Sequence, residues 1–456
     1  MDRLLRHPLA ALAGAMLLAV PWLVAMATGA THGMGELTTV VVSGLAVVGA
    51  SFVLAWGAET AEKDVPRAFA LAVLAVLAVA PEYAVDALYA WQAGMDPGSS
   101  EAANLAVANM TGANRILIGI GWSVIALFSI YKAYQGHSVA TTDRDGPLAD
   151  AVQLDPSIST EIAFLLVATA FAFLVPVGID VGFGVAAPNL GIDLVDTLVL
   201  VGLYVAYIVI VLKAEDDHEE EQVGVPAYLQ AYPKVKRVPV VLGLFAFSGL
   251  LIFTAVEPFA HGLEVLGKDI GIPSFFMIQW IAPLASESPE LIVTAYLVNK
   301  ARSTAAFNAL ISSKLNQWTL LIGTLVVVYS VALGQYGALP FDRKQAAEIW
   351  LTAAQSLFAL AVLVDFNISI RESLALLVLF VSQVVIEFGF IQSGAPASYS
   401  YWLLIGYTVL YIVLGVALFA RRWDALVRIV RRTKVHAFQG RLPEYEDRTD
   451  VASTDD

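Results

Sequence analysis

A proline followed by a glutamate occurs twice inside long apolar stretches of the sequence. Residues 78–86 read AVAPEYAVD and residues 285–293 read ASESPELIV, which gives the pairs Pro81-Glu82 and Pro289-Glu290. Proline lacks an N–H and kinks or breaks a helix, and such breaks inside a membrane are tolerated where they line a cavity. The freed carbonyl groups and the adjacent carboxylates predict a site of hard oxygen ligands, suited to Na⁺ or Ca²⁺ rather than to soft metals.

Each Pro-Glu pair is followed, on the next apolar stretch of the sequence, by a second repeated feature. An asparagine is followed six residues later by a basic residue, Asn109 by Arg115 and Asn308 by Lys314. The two copies start on opposite sides of a membrane, because five apolar spans separate equivalent helices and five is odd. Such an inverted repeat is the architecture of many secondary transporters, whose ion sites lie near the bilayer midplane.

Composition places the whole chain in a membrane. Of its 456 residues, 58% are hydrophobic and 14% are charged, and the mean hydropathy is +0.72. These values leave no room for a sizeable water-soluble enzyme domain. The absence of cysteine excludes Cys-ligated metals and thiol nucleophiles. Since the sequence also has no phosphate loop, Ser-His-Asp signature or cofactor motif, we expect neither an enzyme nor a bound cofactor.

Hydropathy predicts an all-α polytopic membrane protein with about twelve transmembrane helices. The expected spans are residues 8–30, 38–57, 67–92, 101–134, 162–183, 194–213, 239–258, 271–298, 303–334, 347–364, 371–390 and 400–420.

The distribution of basic residues predicts the orientation of these spans. With a cytoplasmic N-terminus, 21 of the 26 Lys and Arg residues lie in inside loops and tails, and only Lys268, Arg343 and Lys344 lie in outside loops. The asymmetry predicts an integral protein of the cell membrane with both termini in the cytoplasm. Alternatively, Arg3 and Arg6 begin a cleaved signal peptide, which leaves eleven spans.

The paired segments resemble the two alpha repeats of the calcium/cation antiporter superfamily, whose best-known members are sodium/calcium exchangers. Each repeat of that family has a Gly-Thr-Ser-x-Pro-Glu type stretch, followed on the next helix by a Gly-Asn-x-x-Gly-Ser-Asn type stretch. Here the resemblance covers residues 67–134 and 271–334, about a third of the chain. It implies two inverted five-helix halves, with one extra helix at each end of the chain.

The resemblance divides the chain into six segments. They are an extra N-terminal helix (1–37), a first half (38–213), a cytoplasmic linker (214–238), a second half (239–390), an extra C-terminal helix (391–420) and a basic, then acidic cytoplasmic tail (421–456). The start of the tail interleaves basic and apolar residues, which predicts an amphipathic helix on anionic lipid or, alternatively, a simple stop-transfer anchor.

Several of the family's oxygen ligands are missing. The Thr and Ser before Pro-Glu become Ala78 and Val79 in the first repeat and Ser286 and Glu287 in the second. The polar position one turn after the second stretch becomes Leu117 and Asn316. The calcium site of the exchangers therefore does not carry over intact.

The remaining polar residues of the repeats form the expected ion-binding site. They are Glu82, Asp86, Asn109, Asn114, Ser286, Glu287, Glu290, Asn308, Ser312 and Asn316, with Glu82 and Glu290 as the metal-binding pair and Pro81 and Pro289 as helix-breaking residues. Glu82 shares a helix face with Asp86, and Glu287 shares one with Glu290, so we expect four carboxylates to converge at the midplane. Two alternatives to ion binding stay open. In one, the acids are simply residues that face water, and in the other, the asparagines are residues that form interhelical hydrogen bonds.

Arg115 and Lys314 bring two positive charges into the membrane at equivalent positions. Because a buried charge is costly unless paired, we expect salt bridges from Arg115 to Glu82 or Asp86 and from Lys314 to Glu287 or Glu290. The two cations compensate the acids either as surrogates for a transported ion or as purely structural partners. Lys314 can lose its proton, whereas Arg115 cannot. Three further acids, Asp180, Glu257 and Glu387, lie outside the repeats, and we expect them at interfaces or in packing.

The leading hypothesis is a secondary active antiporter that exchanges Na⁺ or H⁺ for a cation, with Ca²⁺ as a candidate, by alternating access around Glu82 and Glu290. One alternative is a sodium/proton exchanger in which Arg115 and Lys314 replace bound cations. Another is a non-transporting membrane scaffold or sensor whose site these residues plug. The expected partners are the lipid bilayer and inorganic cations. Nucleic acid is excluded as a partner, because the net charge is −14 and much of it comes from acidic residues in the tail and the linker. No residue pattern indicates an oligomeric state.

Overall fold

A computed structural model describes residues 7–65, 79–142, 146–177, 190–213 and 222–439, and this part of the chain is nearly all helical. Nine of its helices are long and apolar enough to cross a membrane: Pro8–Thr28, Glu36–Asp64, Glu101–Tyr134, Leu194–Lys213, Lys234–Asp269, Ser303–Leu333, Arg343–Leu363, Ile370–Gln392 and Ala397–Arg421. The prediction of an all-α membrane fold is therefore confirmed.

The helices follow the predicted spans closely. The first half of the chain contains α1 (Pro8–Thr28), α2 (Glu36–Ala61), α3 (Ala80–Met95), α4 (Glu101–Ile116), α5 (Ser123–Tyr134), α6 (Ser159–Ala172) and α7 (Leu194–Lys213). The second half contains α8 (Gly224–Gln230), α9 (Lys234–Asp269), α10 (Ser274–Asn299), α11 (Ser303–Asn316), α12 (Ile322–Leu333), α13 (Arg343–Leu363), α14 (Ile370–Gln392), α15 (Ala397–Arg421) and α16 (Trp423–Gln439). Short 3-10 turns cover Ala30–Gly33, Glu62–Asp64 and Pro156–Ile158. The helices α3, α6 and α10 correspond to the three remaining predicted spans, and the count of twelve stays a prediction.

Short antiparallel strands join loops at the ends of the bundle. The strands β1 (Thr141–Thr142), β2 (Ala151–Gln153) and β5 (Asn367–Ser369) form one sheet, and β3 (Gly191–Ile192) pairs with β4 (Leu339–Pro340). Val152 lies opposite Ile368, and Ile192 lies opposite Leu339, and all four side chains are buried. Each sheet therefore ties a loop of the first half to a loop of the second.

Both repeat segments contain a π-helical turn at the same place. One turn covers Leu117–Trp122, between α4 and α5, and the other covers Gln317–Leu321, between α11 and α12. Each turn directly follows the buried cation of its repeat. Such π turns are rare and occur frequently at functional sites. The two segments thus share an unusual local geometry as well as a sequence pattern.

A glycine allows α4 to approach α10 closely. A Cβ atom at Gly112 would lie 1.8 Å from the backbone oxygen of Gln279. Small residues at such crossings bring membrane helices into backbone contact. Gln279 has no helical N–H partner four residues later, because that position is Pro283. The crossing fixes the position of α4, which contains the Asn109 stretch of the first repeat, against α10, which contains the Pro289-Glu290 pair of the second repeat.

The tail begins with α16, so the segment predicted as an amphipathic helix is helical, and its attachment to anionic lipid stays a prediction. Its residues Ala425, Ile429, Arg432 and His436 recur every three or four positions and are buried. Thr160 of α6 lies 2.8 Å from the ring Nδ1 of His436. The buried face of α16 thus packs on protein, a contact that the sequence did not predict.

Candidate ion-binding site

The carboxylates of Glu82 and Glu290, one from each repeat, lie together inside the bundle. Glu82 is in the first turn of α3 and is 3% exposed, whereas Glu290 is on α10 and is half-buried. The two groups are close enough to interact electrostatically. The Ser286 hydroxyl lies beside Glu82, and the Ser313 hydroxyl lies beside Glu290. Each acid of the pair therefore has a hydroxyl neighbour, and Glu82 is shielded from the surroundings of the bundle.

Asp86 lies one helical turn after Glu82 and is fully buried. The Asn109 side chain of α4 donates a hydrogen bond of 2.8 Å from Nδ2 to Asp86 Oδ1. The other oxygens of both side chains, Asp86 Oδ2 and Asn109 Oδ1, are buried without a hydrogen-bond partner among the described residues. These two oxygens are available to a cation.

Glu287 is 1% exposed and accepts a hydrogen bond of 2.6 Å from Gln317 Nε2. It interacts electrostatically with Glu82 and Glu290. Within the described ranges, however, no three Asp, Glu or His side chains are grouped so that they could hold a metal ion. The convergence of four carboxylates at the midplane stays a prediction. Asn109 and Gln317 each hold one oxygen of Asp86 and Glu287, and the other oxygen of each acid is buried without a hydrogen bond from any described residue.

The ammonium group of Lys314 on α11 is fully buried against amide oxygens. Its Nζ donates to the backbone oxygen of Asn114 at 3.3 Å and to Asn114 Oδ1 at 3.1 Å, and it lies 5.0 Å from the Trp318 ring centroid. No described acid lies within 4.0 Å of it, so the predicted salt bridge to Glu287 or Glu290 is wrong. The electrostatic attraction of Glu287 acts over a longer distance. Asn114, expected as an ion ligand, is occupied by Lys314.

Arg115 points away from α3, so its predicted salt bridge to the acids of that helix is wrong. Its Nη1 lies 2.6 Å from Glu348 Oε2 of α13, its Nη2 donates to Gln383 Oε1 of α14, and its guanidinium carbon lies 4.9 Å from the Trp280 ring centroid. The helical period explains the direction. Six residues turn a helix by about 240°, so Arg115 projects from a different side of α4 than Asn109, which faces α3.

Pro289 does not break its helix, contrary to the prediction, because α10 is continuous from Ser274 to Asn299. The Ser288 hydroxyl donates a hydrogen bond of 2.9 Å to the oxygen of Ala285, the carbonyl that Pro289 leaves without an N–H partner. This carbonyl is therefore already bonded. Pro81 is at the N-terminal end of α3, and the residues immediately before Val79 lie outside the described part of the chain.

The remaining predicted ligands lie on α10 and α11. Asn308 and Ser312 are half-buried, and Ser286 hydrogen bonds at 3.4 Å to the backbone oxygens of Ala282 and Pro283. Asn316 Oδ1 accepts a hydrogen bond of 2.8 Å from the Tyr83 hydroxyl.

Several polar residues near the site were missed by the sequence analysis. Gln317 and Tyr83 bond to predicted ligands, and Glu348 and Gln383 bond to Arg115. One signal was available: Gln345, Glu348, Thr352 and Gln355 follow helical spacing within an apolar span. Among the acids expected in packing, Glu387 is fully buried and lies 3.1 Å from Lys344 Nζ, Glu257 is exposed, and Asp180 lies outside the described residues.

Comparison with known proteins relates this fold to ion exchangers. The family model described as sodium/calcium exchanger protein matches residues 35–213 and 240–389. The crystal structure of the H⁺/Ca²⁺ exchanger CAX is similar with a TM-score of 0.80 and 42% identity, covering 94% of this chain and 98% of that one. The structure of native YfkE is similar in fold at 14% identity, with a TM-score of 0.56, covering 83% of this chain and 99% of that one. No curated protein matches the sequence.

The fold and the match to the family model define an integral membrane antiporter of the calcium/cation exchanger class. This chain belongs to the sodium/calcium exchanger protein family, within the calcium/cation antiporter superfamily, as the alpha repeats predicted. The family consists of transporters rather than enzymes.

Proposed function

We propose that this protein exchanges Ca²⁺ for H⁺ across the membrane, with Glu82 and Glu290 binding either the metal ion or protons. The observation that carries the proposal is the 42% identity to an H⁺/Ca²⁺ exchanger over 94% of the chain. It is supported by the electrostatic contact between the two glutamates, one from each Pro-Glu segment.

Charge balance favours this exchange. Two carboxylates that release Ca²⁺ can each take up one proton, so the buried site stays neutral in both states. The oxygens of Asp86 and Asn109 that lack described partners supply further hard ligands of the kind that Ca²⁺ prefers. Protonated Lys314 adds a positive charge near Glu287, which opposes the binding of additional Na⁺.

We further infer the architecture that this mechanism requires. Twelve spans with both termini in the cytoplasm place the halves 38–213 and 239–390 in opposite orientations, joined by the linker 214–238 and flanked by the helices in 1–37 and 391–420, with the cytoplasmic tail in 421–456. Alternating access then exposes Glu82 and Glu290 to one side at a time. The shared π turns and the crossing of α4 with α10 support this arrangement.

The test is Ca²⁺ flux in proteoliposomes made with purified protein. We expect uptake of ⁴⁵Ca²⁺ to follow an imposed pH gradient and to be lost in Glu82→Gln and Glu290→Gln. Glu257→Gln is the matched control, because Glu257 is an exposed acid of α9 outside the site. Unchanged flux in both site variants would remove these glutamates from the mechanism.

The second candidate is Na⁺/Ca²⁺ exchange, which the description of the matching family model favours. The same vesicles distinguish it, since uptake would then follow a Na⁺ gradient at constant pH. Movement of Na⁺ against H⁺ without Ca²⁺ would indicate sodium/proton exchange, and no flux with any of these ions would indicate a non-transporting scaffold.

A further inference from the structure

The helix α13 carries a polar stripe that faces the interior of the bundle. Gln345, Glu348, Thr352 and Gln355 recur every three or four residues, and each is at most 2% exposed. Gln279 of α10 lies beside Glu348 and is fully buried. We call this group of buried polar side chains, Gln279, Gln345, Glu348, Gln355 and Gln383, the second chamber.

Polar atoms in the second chamber lack protein partners. Both side-chain polar atoms of Gln279 and one side-chain oxygen each of Gln345, Glu348 and Gln355 are buried without a hydrogen bond from any described residue. Leaving such groups unbonded in an apolar environment costs several kcal/mol, and natural proteins satisfy them with bound water. The second chamber therefore has the chemistry of a water-filled site.

The charges at this chamber favour water over a metal ion. Arg115 lies 2.6 Å from Glu348, and Lys344 lies 3.1 Å from Glu387. The charged groups that face Glu348 are Arg115 of α4, Lys344 of α13 and Glu387 of α14, whereas α10 contributes the uncharged Gln279. Two positive and two negative charges leave no net attraction for a metal ion, and both carboxylates are already paired with a basic side chain.

A chain of polar contacts runs from this chamber toward both the surface and the exchange site. Lys344 is 24% exposed at the end of the bundle that the basic residues predict to face outside. From there the contacts pass through Glu387 to Gln383, which donates a hydrogen bond of 2.8 Å to Glu387, and then to Arg115. Asn114, the residue before Arg115, binds the Lys314 ammonium group through its backbone oxygen and its Oδ1, and the chain of contacts ends there.

We propose that the second chamber is a hydrated proton inlet, separate from the path of the metal ion. Protons from the Lys344 end are passed between bound waters along the polar stripe, by making and breaking O–H bonds, and end on a carboxylate of the exchange site. The carboxylates of this route are already paired with Arg115 and Lys344, so a metal ion finds no free acid there to replace its hydration shell, whereas a proton needs only a relay of hydrogen bonds. The inlet rests on the proposed function, since it supplies the protons that replace Ca²⁺.

The first experiment fills the chamber with apolar groups. Gln279→Leu and Gln345→Leu remove amides while nearly keeping side-chain volume, and Gln335→Leu, in an exposed turn, is the matched control. We expect uptake of ⁴⁵Ca²⁺ driven by a pH gradient to fall at least about tenfold in the first two variants, with Ca²⁺ affinity changed less than about twofold. Unchanged uptake in both variants would overturn the inlet.

The second experiment detects water directly and does not depend on transport. Hydroxyl radicals made by a brief X-ray pulse label side chains next to bound water. We expect labelling of Trp280, which contacts Arg115, to exceed that of Trp122, which is fully buried in the main apolar cluster, and to drop in Gln279→Leu. Equal labelling of the two tryptophans would overturn the chamber. Absence of proton-driven uptake in the unaltered protein would instead overturn the proposed function.

Discussion

Arg115 Nη1 lies 2.6 Å from Glu348 Oε2, and both side chains are at most 2% exposed. The pair connects α4 to α13 across 233 positions of sequence. Neither charge is neutralised by solvent at this depth, so each depends on the other. The two partners differ in one respect, because glutamate can take up a proton whereas arginine stays charged.

This difference predicts unequal effects of removing each partner. Glu348→Gln should lower the free energy of unfolding by about 3–5 kcal/mol, because it leaves a buried guanidinium without its counter-charge. Arg115→Gln should cost less, and its cost should shrink as pH falls, since the unpaired Glu348 becomes neutral by protonation. Thermal unfolding of detergent-solubilised protein at several pH values measures both. The double variant should recover much of the loss of Glu348→Gln, and a double variant that is no more stable would contradict the pairing.

The helix crossing at Gly112 predicts a strict size limit. Gly112→Ala should destabilise the fold by about 1–3 kcal/mol or prevent folding, because its Cβ would lie 1.8 Å from the backbone oxygen of Gln279. Gly121→Ala is the control, since its Cβ would lie 3.1 Å from the flexible end of Leu291. Size-exclusion profiles after heating compare the two. Equal stability of both variants would show that α4 and α10 do not approach this closely.

Removing the buried charge of Lys314 should strengthen Ca²⁺ binding. In Lys314→Met we expect the Kd for Ca²⁺ to fall at least about tenfold, or about 1.4 kcal/mol, because a positive charge acting on Glu287 is gone. Equilibrium binding of ⁴⁵Ca²⁺ measures the change. Lys300→Met serves as the control, since Lys300 is exposed. A weaker affinity in a variant that retains its thermal stability would refute a repulsive role for Lys314.

The contact between α16 and α6 predicts that the tail stabilises the protein. His436→Ala removes the 2.8 Å contact with Thr160 and should lower the free energy of unfolding by about 1 kcal/mol. Lys434→Ala, on the exposed side of the same helix, should have almost no effect. Thermal unfolding of the purified variants distinguishes this docking from attachment to lipid alone. In the latter case the two variants would behave alike.

The site could be predicted only in part. Its residues can be found from their order and spacing along the chain, whereas their pairing depends on how the helices pack. The Pro-Glu segments identified the acid pair, since a charged residue inside an apolar span is evident from order and spacing. The predicted partners of Arg115 and Lys314 are wrong, because the acids of the same repeat are not the neighbours of these cations in space. Asn109 and Arg115 belong to one motif, yet the helical turn between them directs their side chains to different neighbours.

Hydropathy alone determined the helices and most of their ends, because a membrane requires each apolar span to satisfy its own backbone hydrogen bonds. The repeated Pro-Glu and Asn patterns alone identified the family. Tertiary structure decided which carboxylate oxygens remain available to an ion, since Gln317 and Asn109 each occupy one oxygen of Glu287 and Asp86 only once α11 and α4 have packed. It also decided that Arg115 binds Glu348, a choice set by long-range packing that no local sequence pattern encodes.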